Sequence, residues 1–113
     1  MYAKKFEETR FEELHGNRYN ILLPMEMTEA MQMALVRVSK GDKVPKHTHP
    51  EEEQAYIVLE GQGLLTLGGE QGEVGEGMVV YIPRGTEHEI EGISEEELVY
   101  IYVAVWPEGR QEA

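Results

Sequence analysis

Residues 41–61 read GDKVPKHTHPEEEQAYIVLEG, and residues 77–88 read GMVVYIPRGTEH. In the first stretch His47 and His49 are two residues apart. On a strand that spacing puts both imidazoles on one face, a usable geometry for two metal ligands. Gln54 is the last residue before an apolar run and can point back into the same space. In the second stretch Pro83 and Gly85 fix a sharp turn, and His88 opens the segment after it. A barrel that brings the two stretches together would set three imidazoles and one amide oxygen around one point.

Outward from these stretches, glycine cuts the chain into short pieces rich in Val, Ile, Leu and Tyr. They are residues 31–39, 55–60, 64–67, 78–82 and 98–106. Short apolar runs with a turn every 8–12 residues predict an all-β sandwich or barrel. The glycine density opposes a helical bundle. Residues 4–15 are the one candidate helical segment, with Phe6, Phe11 and Leu14 among paired glutamates. Two runs are apolar on both alternating faces. Leu98, Tyr100, Tyr102, Ala104 and Trp106 form one face of the last run, and Val99, Ile101, Val103 and Val105 the other. Residues 31–38 behave alike. A strand buried on both sides needs a cover outside the sheet, from the N-terminal segment or from a second copy of the chain. A homodimer is the expectation.

At 113 residues the chain is long enough for one core and too short for two. Its 22 acidic residues against 10 basic ones give a net charge of −12, which excludes nucleic acid and anionic membrane surfaces as partners. No apolar run is long enough for a membrane-spanning helix, and the charged N-terminus carries no signal region. A soluble, cytoplasmic protein is expected. With no cysteine, disulfides, thiol catalysis and thiolate metal sites are excluded. Any metal would rest on His, carboxylate or amide. The acids are 21 Glu and one Asp, with two Asn. Such a bias accompanies heat adaptation, and equally any acidic surface.

The two stretches resemble the paired motifs of the cupin superfamily. The first motif, G-x5-H-x-H-x(3,4)-E-x6-G, meets Gly41, His47, His49 and Gly61, with Gln54 at the glutamate position. The second, G-x5-P-x-G-x2-H-x3-N, meets Gly77, Pro83, Gly85 and His88, with Gly92 at the asparagine position. The resemblance implies a single-domain cupin, a jelly-roll-type antiparallel β-barrel. Its core would span residues 30–106, with 1–29 an extension packed outside. It also implies one divalent transition metal held by His47, His49, Gln54 and His88. A neutral glutamine leaves the ion its full charge, so affinity should fall and Lewis acidity rise. Zn or Ni is then favoured over Mn, with Fe and Cu also open. Glu53 is the alternative fourth ligand, but on a strand it faces the other way. Glu51–Glu53 reads otherwise as a solvated loop, and His15 as a surface residue. In this the chain looks like sugar-processing cupins, including those handling unsaturated uronates, and like some polyketide cyclases.

The last run holds no Asp, Glu, His or Lys. Tyr56, which shares the Gln54 face, together with Tyr100 and Tyr102, are therefore the candidate catalytic side chains. The base would be a tyrosinate or a water activated by the metal. Three functions stay open: a metal-dependent isomerase, lyase or cyclase on a sugar-like or keto substrate; a metal-dependent dioxygenase; and a non-catalytic small-molecule binding or sensor module. A small-molecule ligand or substrate is the partner in all three.

Overall fold

The computed structural model describes residues 1–110. Ten strands follow in chain order: β1 (Arg10–Leu14), β2 (Asn17–Leu23), β3 (Met31–Val38), β4 (Lys43–His47), β5 (Glu53–Glu60), β6 (Gln62–Leu67), β7 (Glu70–Gly75), β8 (Val79–Ile82), β9 (His88–Gly92) and β10 (Leu98–Val105). They form a six-stranded sheet, order β1-β2-β3-β10-β5-β8, and a four-stranded sheet, order β4-β9-β6-β7. Every strand pair is antiparallel. The architecture is the all-β jelly-roll barrel that the short apolar runs predict.

Strands β3, β5, β8 and β10 of the larger sheet present their even-numbered residues inward. Val38 pairs with Leu98, Val36 with Tyr100 and Ala34 with Tyr102. On the other side of β10, Tyr100 meets Val58, Tyr102 meets Tyr56 and Ala104 meets Gln54. Val36, Val38, Val58, Leu98 and Tyr100 are all buried, and pack against Leu65 and Ile90 of the facing sheet. Aliphatic rows fill one end of this interior. Towards the other end the rows turn to Tyr56, Tyr102, Gln32 and Gln54. Polarity thus changes along the barrel axis at fixed strand parity, and that change places the site.

Within residues 1–29, β1 and β2 pair into the larger sheet. β2 joins the edge of β3, with Tyr19 opposite Val36 and Ile21 opposite Ala34. β1 then folds back on β2 through His15 and Gly16, at φ 54° and 79°. Two successive residues at positive φ match the twist of a tight hairpin. The candidate helical segment, residues 4–15, is a 3-10 turn at Phe6–Glu8 followed by β1. The glutamates there favour helix only weakly, and pairing with β2 outweighs that preference.

Gly92 occupies the asparagine position of the second motif for a packing reason. A Cβ there would lie 2.6 Å from the Ser39 carbonyl oxygen and 2.9 Å from that of Val38. The crossing backbone is held by Gly41 N–H donating to Gly92 O at 2.8 Å and Gly92 N–H donating to Asp42 O at 3.0 Å. Gly92→Ala is expected to destabilise the fold by roughly 1–3 kcal/mol, because backbone rather than a flexible side chain must give way. Urea unfolding measures this, and a midpoint equal to wild type would contradict the close approach.

Candidate metal centre

β4 and β9 bring the two histidine motifs together. His47 ends β4 directly opposite His88, which begins β9. The register slips between Val44 and His47, around Pro45. Proline has no N–H to give a ladder, so it is tolerated at such an irregularity. The slip sets His47 against His88 and frees the Pro45 carbonyl. His49 follows in the loop after β4. Its carbonyl accepts a 2.9 Å hydrogen bond from the Gly85 amide. Gly85 sits at φ 72°, a conformation side-chain-bearing residues resist, so the turn of the second motif pins the histidine loop of the first.

The three rings cluster tightly. Centroids lie 4.2 Å apart for His47–His88, 4.6 Å for His47–His49 and 5.3 Å for His49–His88. One nitrogen from each ring lies within 4.8 Å of the others. The other nitrogens are occupied. His47 Nδ1 donates to Pro45 O at 2.6 Å, and His88 Nδ1 to Thr86 O at 2.9 Å. His49 Nδ1 faces the Glu52 carboxylate at 3.2 Å. Each of these partners is an acceptor, so each Nδ1 carries the proton and each Nε2 presents a lone pair. Among the described residues, His49 Nε2 and His88 Nε2 are buried with no hydrogen-bond partner. A buried polar atom left unpaired costs about 1–3 kcal/mol, and two beside each other mark a place for a cation. Burial also lowers the pKa of His47 and of His88, against the opposing pull of their carbonyl partners. They remain neutral at neutral pH, as ligation requires. The donor set fits a divalent transition ion.

A cavity of about 430 Å³ opens beside this cluster. His47, His49, Glu52 and Gln54 form one part of its wall, and Tyr19, Tyr56, Tyr100 and Tyr102 another. Gln54 is buried at the end of its row, next to Ala104 and Ile82. Its amide nitrogen donates to Glu52 at 2.8 Å, which leaves Oε1 as its free acceptor. Glu53 lies on the odd-numbered face of β5 and does not line the cavity.

Burial raises the pKa of Tyr56, Tyr100 and Tyr102, and for Tyr102 the nearby Glu52 charge adds to it. The raised values favour the protonated, hydrogen-bond-donating form of each phenol. Tyr56 and Tyr100 stack with centroids 4.5 Å apart. His15, expected at the surface alone, is exposed but stands at the cavity rim.

Glu52 is the residue that the sequence reading missed. Taken as part of a solvated loop, it is instead a cavity carboxylate whose side chain is 14% exposed. Burial alone would raise its pKa. Hydrogen bonds from His49 and Gln54 outweigh that and hold it below the usual carboxylate range. The signal was available: Glu52 has the same parity as Gln54, Tyr56 and Val58.

The cupin domain family model matches residues 34–105, and the chain belongs to that family. An uncharacterised protein of Methanocaldococcus jannaschii is 40% identical over 80 residues, which cover 71% of this chain and 58% of that protein. The chain thus spans under two thirds of that relative. A Thermotoga maritima structure, described as a predicted oxalate decarboxylase, superposes with TM-score 0.85 at 22% identity, covering 93% of this chain and 99% of the other. The polyketide cyclase RemF of Streptomyces resistomycificus superposes with TM-score 0.82 at 24% identity, covering all of this chain and 86% of the other. At these identities the structural likenesses establish the fold.

In chelator-treated protein, His47 and His88 should carry the proton on Nδ1 and titrate below pH 6.5. Long-range ¹H–¹⁵N spectra report both. Protons on Nε2, or midpoints above 6.5, would contradict the ligand-ready arrangement.

Proposed function

We propose that this protein is a metal-dependent enzyme of isomerase, lyase or cyclase type, acting on a small sugar-like or keto substrate. His47, His49, His88 and Gln54 Oε1 would hold one divalent transition ion, with Zn or Ni favoured on a neutral donor set. The observation that carries this reading is the pair of unpartnered Nε2 atoms beside a cavity walled by protonated tyrosines. When bound, the ion supplies Lewis-acid polarisation of a carbonyl or hydroxyl oxygen.

The chain's own groups supply the rest. Tyr102 and Tyr19, partly exposed, donate hydrogen bonds to substrate oxygens. Tyr56 and Tyr100 are nearly inaccessible and fix the wall behind them. Gln32 adds an amide at the same end. Among the described residues the cavity has one carboxylate, Glu52, so a paired-carboxylate hydrolysis is not favoured. The cyclase activity named for RemF is consistent with this class. No helix among the described residues is long and apolar enough to cross a membrane.

Elemental analysis of protein purified without chelator should give about one metal per chain in wild type and in His15→Ala. His47→Ala, His49→Ala and His88→Ala should each abolish it. Metal-loaded protein should then turn over a member of a panel of unsaturated uronates and keto sugars. A ligand from that panel bound tightly without turnover would instead make this a binding module.

The homodimer also belongs to this reading. Ile57, Val79 and Tyr81 lie on the outer face of β5 and β8, at 40%, 71% and 56% exposure. Such a patch is the kind a second copy covers. Sedimentation should give a dimer mass at micromolar concentration, and Val79→Glu should shift it towards monomer. A monomer mass across salt conditions would overturn the proposal.

A further inference from the structure

We propose that Glu52 is the positioning residue of the metal centre, holding His49 and Gln54 together and supplying from behind them the negative charge that Gln54 lacks. The inference rests on the metal reading above. Two of the three histidines are fixed locally: His47 and His88 each donate Nδ1 to the carbonyl two residues earlier. His49 uses the Glu52 carboxylate in place of a backbone carbonyl. The two carboxylate oxygens divide the work. Oε1 faces His49 Nδ1 at 3.2 Å, and Oε2 accepts from the Gln54 amide at 2.8 Å.

This division sets the orientation of both ligands. A carboxylate beside Gln54 requires the NH₂ on that side, so Oε1 is the atom turned elsewhere. A carboxylate beside His49 places the proton on Nδ1 and leaves Nε2 bare. The pair is also unlike the others in the molecule. His49 and Glu52 side chains are 29% and 14% exposed. In each of the other ion pairs among the described residues, at least one partner is 40% exposed or more. It sits inside the cavity wall, where charge is weakly screened.

The chain therefore keeps a carboxylate at its metal centre, moved from position 54 to position 52. The ion then retains its Lewis acidity while the surroundings offset part of its charge. One consequence reverses the simple expectation for Gln54→Glu. With Glu52 in place, that substitution sets two carboxylates side by side, so the gain of a charged ligand is offset by their repulsion.

The test is Zn²⁺ affinity measured by competition with a chromophoric chelator, on the full chain. Glu52→Gln should weaken binding by about 10- to 100-fold. Gln54→Glu alone should change it little. The exchange variant Glu52→Gln/Gln54→Glu should recover wild-type affinity or exceed it, since an amide at position 52 can then donate to the carboxylate at position 54. Near-UV circular dichroism confirms folding of each. A second readout is the visible spectrum of Co²⁺-loaded protein, which should shift in Glu52→Gln and not in a surface control such as Glu95→Gln. If Glu52→Gln matches wild type in affinity and spectrum, or if the exchange variant shows only the sum of the single changes, the inference fails. If wild-type protein binds no Zn²⁺, the metal reading itself fails, and the two failures are thereby told apart.

Discussion

The structure turns on the occupation of three Nδ1 atoms. An imidazole offers a lone pair in one direction only when its other nitrogen is committed as a donor. Here Pro45 O, Thr86 O and the Glu52 carboxylate commit all three. Two of the three Nε2 atoms are then buried with no hydrogen-bond partner among the described residues. Much of the fold around the cluster serves that arrangement. The register slip in β4 frees the Pro45 carbonyl, and the Gly85 turn ties down the loop carrying His49. The close backbone crossing at Gly92 anchors the far end of β9.

Charge explains why the site is built this way. The chain carries −12 overall, and a field of that sign draws cations inward. Tight binding of a cation and strong polarisation by it pull in opposite directions. A carboxylate ligand favours the first and neutralises the second. In the proposed centre, glutamine at position 54 with glutamate at position 52 would separate the two demands. Burial, and after it the same carboxylate, raises the pKa of Tyr102 and favours its hydrogen-bond-donating form.

The all-β class and the pairing of the two motifs were legible in the sequence because both rest on local periodicity. Parity also assigned Gln54, Tyr56 and Val58 to one face. The N-terminal residues were not legible. Paired glutamates in 7–13 satisfy a helix as readily as an exposed strand, and the free edge of β3 decides between them. Glu52 was lost for a different reason. It precedes β5 by one residue, and a run of three glutamates reads as solvated unless parity is carried back past the strand's end. Tyr19 and His15 reach the cavity only through the β1–β2 hairpin, which links them to residues far away in the chain. The tyrosine pKa values were not legible because burial, invisible in the sequence, is what raises them.

The central claim is that His47, His49, His88 and Gln54 form a single metal centre. X-ray absorption at the zinc edge of stoichiometrically loaded protein tests it most directly. The account predicts three imidazole nitrogens at about 2.0–2.1 Å with oxygen completing the set. It further predicts loss of one imidazole contribution, or of the metal, in His88→Ala. A spectrum with fewer than three imidazoles in wild type, or one unchanged in His88→Ala, would contradict it.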